Sequence, residues 1–259
     1  MPNGMRTIVS LTSFPARIGA AAKVIETMAR QTVRPDKIVL YLTAAQFPDG
    51  KVPDILSRLQ SKLVDIRFCG PPIKSYTKLV PALKDFPDDI VITVDDDMDY
   101  PNNLISTLLR AHRKYPRAIC AHRVRRVKFK NGRPLPYLKW PRLNRRIRKH
   151  VCGRRPRLDN LAMGVGGVLY PPRCLDAAAT RDDIFMKMAP TADDLWFWAM
   201  AAKAGTGTAF VRNDRVKDAC LTGTQETSLL SINCAGDGND RAMANILAEF
   251  PEIRLVASR

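Results

Sequence analysis

Three consecutive carboxylates, Asp95, Asp96 and Asp97, directly follow five β-forming, mostly apolar residues, Ile90 to Val94. A buried strand that ends this way delivers several hard oxygen ligands to one point at a sheet edge. Mg²⁺ or Mn²⁺ takes such ligands when held by one or two carboxylates plus substrate phosphates. An acidic turn whose Asp caps the following helix reads the same way. A second pair, Asp193 and Asp194, precedes Trp196 and Trp198. Acids in a first helical turn are favoured by the macrodipole. A carboxylate beside bulky aromatics in a cleft is also how a general base with a tuned pKa is built. Two further stretches could bind ligand. Lys74-Ser-Tyr-Thr-Lys78 starts a predicted helix, where both lysines and free backbone N–H groups could meet phosphate, although a solvated helix start reads alike. Gly166 and Gly167 interrupt an apolar run, which implies a bulge, a close approach of backbone or ligand, or plain packing.

The surrounding pattern positions these groups. Strands are expected at 7–11, 37–42, 64–68 and 90–94, with helices at 18–30, 53–59 and 75–83 between them. Strand and helix thus alternate up to the carboxylates, the mark of βα units and a mainly parallel sheet. Residues 37–42 are continuously hydrophobic, as in a strand buried on both faces. Helix 101–115, strand 118–124, a glycine-interrupted strand 161–170, short helix 172–179, helix 191–203, strand 208–211 and a short helix at 240–249 complete the expectation. All four candidate groups then fall at carboxyl ends of strands or amino ends of helices, where open α/β sheets bind ligands. We expect one domain over 1–259, with a basic insert at about 125–158 and an irregular segment at about 213–259.

The net charge of +17 is concentrated. From Tyr100 to Leu158 there is no Asp or Glu at all, but there are 19 Lys or Arg, fifteen of them from Arg123 to Arg157. The rest of the chain holds 23 basic against 25 acidic residues and is nearly neutral. Such a segment implies a polyanionic partner. Within it, Arg145, Arg146, Arg148 and Lys149 are the candidates for holding an anionic surface. Asn131-Gly132 signals a hairpin turn, and four prolines argue against a long helix. Six scattered cysteines without a Cys-x-x-Cys pair argue against zinc or a disulfide framework. No export signal or long apolar run is visible, so the expected location is the cytoplasm, at or near the cytoplasmic face of the inner membrane. No Gly-x-Gly-x-x-Gly follows the first strand and no Walker-type loop occurs, which excludes the common dinucleotide and P-loop sites. All three histidines, His112, His122 and His150, lie in or beside the basic region, which disfavours a serine or cysteine hydrolase.

The order of these features resembles the glycosyltransferase A fold, in particular inverting, family-2-like bacterial enzymes that build surface polysaccharides. Asp95-Asp96-Asp97 matches their Asp-x-Asp motif, and Asp193-Asp194 matches their later acidic pair. Val9-Ser-Leu-Thr-Ser-Phe-Pro-Ala-Arg17 and Lys78-Leu-Val-Pro-Ala-Leu83 look similar to these enzymes too. The resemblance covers about residues 5–212. It implies a nucleotide-sugar donor held through Mn²⁺ or Mg²⁺, with Asp97 as direct metal ligand and Asp95 bridging to ribose or metal. It implies a nucleotide site that includes Thr12, Pro15, Arg17, Lys74, Lys78 and Asp96. It places Gly166, Gly167 and Trp196 near the donor or acceptor sugar and gives the base as Asp194, with Asp193 its rival. The implied acceptor is a saccharide or lipid-linked saccharide at an anionic membrane. The pair is Asp-Asp where the family has Glu-Asp, which leaves the base open between the two. No His follows His150, which favours inversion over retention. Two other readings use the same residues: a nucleic-acid-binding protein, which leaves the carboxylates without a role, and a haloacid-dehalogenase-like phosphatase. The latter normally carries its Asp-x-Asp on the first strand, not the fourth.

Overall fold

A computed structural model describes residues 4–143, 155–216, 221 and 237–254. The strands are β1 (Thr7–Ser13), β2 (Lys37–Thr43), β3 (Val64–Cys69), β4 (Ile90–Thr93), β5 (Ile119–Ala121) and β6 (Val124–Arg126). They continue with β7 (Phe129–Lys130), β8 (Arg133–Pro134), β9 (Arg142–Leu143), β10 (Asn160–Ala162), β11 (Val168–Tyr170) and β12 (Thr208–Phe210). The helices are α1 (Ile18–Ala29), α2 (Asp54–Ser57), α3 (Val80–Asp85), α4 (Leu104–Lys114), α5 (Asp182–Met188), α6 (Asp193–Lys203) and α7 (Gly238–Glu249).

Seven strands form the main sheet in the order β12-β5-β11-β4-β1-β2-β3. β1 pairs in parallel with both β2 and β4, and β2 with β3. β12 is parallel to β5, whereas β11 runs antiparallel between β4 and β5. β1, β2 and β4 are buried almost throughout, as their continuous hydrophobicity predicts. Two apolar clusters cover the sheet. One packs α1 and α4 (Val24, Ile25, Met28, Leu104, Leu108) against the residues of one face. The other packs α3, α6 and α7 (Val80, Trp196, Met200, Met243, Ile246) against the residues of the opposite face. α6 is buried from Leu195 to Ala202, because it is apolar on every side.

The sequence places most elements correctly and errs where glycine or tertiary contact breaks a run. The expected strand 161–170 is two strands in different sheets. β10 joins β6 and β9 in a small antiparallel sheet, a 3₁₀ turn follows at Gly164–Gly166, and β11 enters the main sheet. Gly167, at φ +81°, makes that redirection possible, since a side chain there would be strained and would meet Leu104. Residues 118–124 likewise split into β5 and the start of β6. The expected helix 75–83 is a 3₁₀ turn (Lys74–Lys78) followed by α3, and 172–179 yields only a 3₁₀ turn at Ala177–Thr180. α5 was not anticipated, although Asp182 and Asp183 in its first turn and Lys187 in its last suit the helix dipole.

In the described part of the basic insert, β7 and β8 pair across Asn131 and Gly132. Both turn residues have positive φ, at +52° and +70°, as a type I′ hairpin requires. Arg145, Arg146, Arg148 and Lys149 lie outside the described residues. Cys69, Cys120 and Cys174 are free thiols. Among the described residues no helix is long and apolar enough to cross a membrane.

Candidate functional site

β1 has β2 on one side and β4 on the other, so the chain connections diverge there. Such a switch point leaves a crevice at the carboxyl ends of the strands. A cavity of about 520 Å³ occupies it, a size typical of small-molecule sites. The ends of β1 (Thr12, Ser13, Phe14, Arg17) and β4 (Asp95, Asp96, Asp97) line one part. The 3₁₀ turn at Lys74–Lys78, Gly164 and the start of α6 (Asp193, Asp194) line another.

The acidic triplet is held by cations and hydroxyls from earlier in the chain. Ser13 donates its Oγ–H to Asp96 Oδ2 at 2.6 Å. Arg17 Nη1 donates to Asp96 Oδ1 at 3.2 Å and lies 2.9 Å from Asp97 Oδ2. The Arg17 guanidinium also sits 5.3 Å from the centre of the Phe14 ring, within cation–π range. Burial raises the carboxyl pKa of Asp96, opposed by Ser13 and Arg17. Burial also raises that of Asp97, and its neighbour Asp95 adds to this against the pull of Arg17.

Lys78 joins the two acidic groups. Its Nζ donates to Asp95 Oδ1 at 2.8 Å and lies 3.2 Å from Asp193 Oδ2. Burial works against the ammonium, but Asp193, Asp95 and Asp194 outweigh it and hold its pKa well above the ordinary lysine value. Lys78 is therefore a fixed positive charge, placed by the 3₁₀ turn whose Lys78 carbonyl accepts from Ser10 Oγ at 2.6 Å. Lys74, at the mouth, adopts φ +54°, a left-handed conformation uncommon for residues other than glycine.

The two members of the later pair differ. Asp193 accepts from Ser75 Oγ at 2.8 Å through Oδ1, while its Oδ2 lies 3.2 Å from Lys78 Nζ as an ion pair without a hydrogen bond. Asp194 keeps part of its surface open to the cavity and accepts one backbone bond, from Gly164 N–H at 3.0 Å. Its carboxyl is pushed up to about 7, first by burial and then by Asp193, against the opposing pull of Lys78. A group that titrates near neutrality and faces a cavity is suited to take a proton.

The hard carboxylate oxygens of Asp95 and Asp97 fit a divalent cation whose remaining ligands are phosphate oxygens or water. Among the described residues no group of three His, Cys, Asp or Glu could hold a metal ion by itself.

Several expected site residues stand elsewhere. Trp196 is fully buried, donates its indole N–H to Ala179 O and packs edge-on to Phe250, so it faces the core and not the cavity. Gly166 lies against Arg123 and Gly167 against Leu104. The glycine that meets the site is Gly164, where a Cβ would stand 2.7 Å from Lys78 Nζ and 3.3 Å from Asp194 Oδ1. Pro15 is exposed and opens the turn that carries Arg17. Thr12 lines the cavity, but its hydroxyl donates to Tyr41 O. Tyr137 of the basic insert and Asn239 of α7 also line the cavity and were not anticipated. They meet because the Tyr137 N–H donates to Asp240 Oδ1 at 2.7 Å, over a sequence separation that no local pattern reveals.

Comparison with protein-family descriptions and with curated proteins finds no match. Solved structures do match. The chain is similar to the mannosyltransferase PcManGT from Pyrobaculum calidifontis, solved in complex with GDP-Man and Mn²⁺, with TM-score 0.54 and 11% identity over 99% of this chain and 69% of that one. It is also similar to a 4-diphosphocytidyl-2C-methyl-D-erythritol synthase, with TM-score 0.50 and 11% identity over 85% of this chain and 94% of that one. The corresponding synthase from Anaerococcus prevotii matches with TM-score 0.50 and 13% identity, over 83% and 91% of the two chains. The fold is GT-A-like. Its seven-stranded, mainly parallel sheet flanked by helices carries one antiparallel strand beside β4.

Proposed function

We propose that this GT-A-like protein is a metal-dependent glycosyltransferase. It moves a sugar from a nucleotide-sugar donor to a hydroxyl of a saccharide or lipid-linked acceptor, with inversion, in the synthesis of cell-surface polysaccharide. One observation carries the reading. Two carboxylate groups from distant parts of the chain, Asp95–Asp97 and Asp193–Asp194, share one cavity and are joined by the buried Lys78.

Asp95 and Asp97 are the residues that would hold Mn²⁺ or Mg²⁺ with the donor's phosphates. When bound there, the cation supplies charge neutralisation for the diphosphate leaving group, an effect of several kcal/mol in such sites. Arg17, Lys74 and Lys78 add fixed positive charge around the same region, and Phe14 with Thr12 and Thr43 offers a platform for a nucleobase. Asp194 is the base. The acceptor oxygen forms a bond to the anomeric carbon, the bond from that carbon to the diphosphate oxygen breaks, and the acceptor proton passes to Asp194 Oδ. General base action of this kind contributes about 10²–10⁴-fold. Asp193 positions Lys78 and is already engaged by Ser75, which favours Asp194 over it for this role. The basic insert favours an acceptor that is anionic or carried at an anionic surface, and the chain would then work at the cytoplasmic face of a membrane.

The test is a screen of nucleotide sugars for binding and hydrolysis with Mn²⁺, comparing the wild type with Asp97→Ala. We expect one donor to bind in a metal-dependent way and the variant to lose that dependence while keeping its melting temperature within a few degrees. Absence of binding and turnover for every donor, with the variant indistinguishable from wild type, would sink the transferase reading.

A further inference from the structure

The described part of the basic insert carries a surface of unusual build. Among the large apolar side chains of the described residues, Leu138 is the most exposed at 65%, ahead of Ile55 at 49% and Val33 at 41%. It does not sit on a loose loop. Its neighbours Tyr137 and Trp140 are buried and pack with ring centres 5.1 Å apart, and Trp140 Nε1–H donates to Leu135 O at 2.7 Å. The buried Arg125 donates to the carbonyls of both Tyr137 and Trp140 and lies over the Tyr137 ring. The turn at Tyr137–Lys139 is therefore fixed from beneath, with Leu138 held outward.

Exposed cations flank it along the chain. Lys128, Lys130, Arg133, Lys139 and Arg142 are all exposed, with no carboxylate in this stretch of the chain. The hairpin register sets Lys130 directly opposite Arg133. Like charges across a strand pair destabilise it, and an anion between them would relieve that cost. A basin of about 460 Å³ lies there, lined by Lys130, Asn131, Arg133, Pro134 and Leu135. Asp240 of α7 accepts from the Tyr137 N–H.

We propose that this face, residues 128–142, docks the protein on an anionic phospholipid bilayer. Leu138 enters the apolar boundary while Lys130 and Arg133 hold a lipid phosphate. Exposed apolar side chains within a basic surface are the features of interfacial attachment. A soluble polyanion would satisfy the lysines and arginines but gives no use to a rigidly presented leucine. Because Tyr137 of the same turn lines the cavity, docking here brings the site to the membrane, where a lipid-linked acceptor is held. The inference deepens the acceptor side of the proposed function. Its readout needs no donor, so the two can fail separately.

The full chain would be floated with vesicles of phosphatidylcholine alone and of phosphatidylcholine mixed with phosphatidylglycerol. We expect salt-sensitive binding to the mixed vesicles only. Lys130→Glu with Arg133→Glu should lower partitioning by more than tenfold, since each basic side chain near such a surface contributes roughly fivefold. Leu138→Asp should lower it by about tenfold or more, and Leu138→Ser by less. Ile55→Asp, an exposed apolar position elsewhere, should bind as wild type. Melting temperatures check the fold of each variant, and Leu138→Ser stands in if Leu138→Asp unfolds. Absence of binding to the mixed vesicles, equal binding to neutral ones, or wild-type binding by the Leu138 variants would overturn the proposal. So would tight binding of heparin or duplex DNA unaffected by Leu138, which would assign the patch to a soluble polyanion.

Discussion

Replacing Asp194 with Asn is expected to stabilise the protein at neutral pH while abolishing transfer. The Asp194 carboxyl titrates at about 7 in the folded chain against an ordinary value of 3.8. Its folded pKa is raised, so between these two values the folded chain retains a proton that the unfolded chain has released. Stability therefore falls as pH rises through that window. At ~1.4 kcal/mol per pH unit, the cost reaches about 4 kcal/mol above neutrality. Asn is neutral throughout and avoids that cost, while its Oδ1 still accepts the Gly164 N–H. Against this, Lys78 loses one of three anionic neighbours. We expect a net gain of about 1–3 kcal/mol near pH 8, a rise in melting temperature of roughly 3–10 °C for a domain of about this size. The gain should shrink to nothing near about pH 4, below which Asp194 is protonated in both states. Thermal unfolding of wild type and variant across this pH range measures it. A carboxylate that merely favours its helix dipole predicts the opposite sign, a loss of about 0.3–1 kcal/mol in the Asn variant. A destabilised variant whose difference from wild type grows with pH would refute the assignment of Asp194 as a strained, functional carboxyl.

Two further outcomes test the same cluster. Lys78→Met should destabilise by about 3–5 kcal/mol in denaturant titrations near neutral pH, because it leaves buried carboxylates without their cation. The raised pKa of Lys78 means that its contribution is fully present below 10.5 and fades only as pH rises through the higher folded value. The defect should ease in acid, where the carboxylates protonate. Gly164→Ala should leave the fold largely intact, since the Cβ meets the flexible end of Lys78. Displacing that ammonium from Asp95 and Asp193 should lower turnover by about 10–100-fold, measured as kcat at saturating donor; unchanged turnover would remove Gly164 from the site.

The parallel sheet and its acidic loop were legible because strands buried on both faces read as unbroken apolar runs that stop at polar residues. Ile90–Thr93 before Asp95 is the plainest case. Lys78 was legible as a charge near a ligand, but its partners were not, since Asp95 and Asp193 meet it only through the tertiary fold. Trp196 illustrates the opposite error. Its place next to an acidic pair suggested a cleft, yet the continuous apolar run to Ala202 already marked a helix buried on all sides. Among the glycines of residues 164–167, spacing could not tell which faces the cavity. That depends on the φ +81° turn at Gly167, which sends β11 back into the main sheet. Tyr137 and Asn239 were out of reach, because their encounter depends on a hydrogen bond between the insert and α7.

The order in which the charges occur along the chain has a consequence for synthesis. Arg17 and Lys78 both precede the carboxylates they hold. As the chain leaves the ribosome, each acidic cluster therefore emerges after its cation, and neither Asp95–Asp97 nor Asp193–Asp194 must wait unpaired for a later residue. The wall formed by Asn239 comes last. At translation rates of about 5–20 residues per second, it follows the acidic triplet by on the order of ten seconds. The charge network can thus assemble early, while the cavity closes only once α7 has emerged.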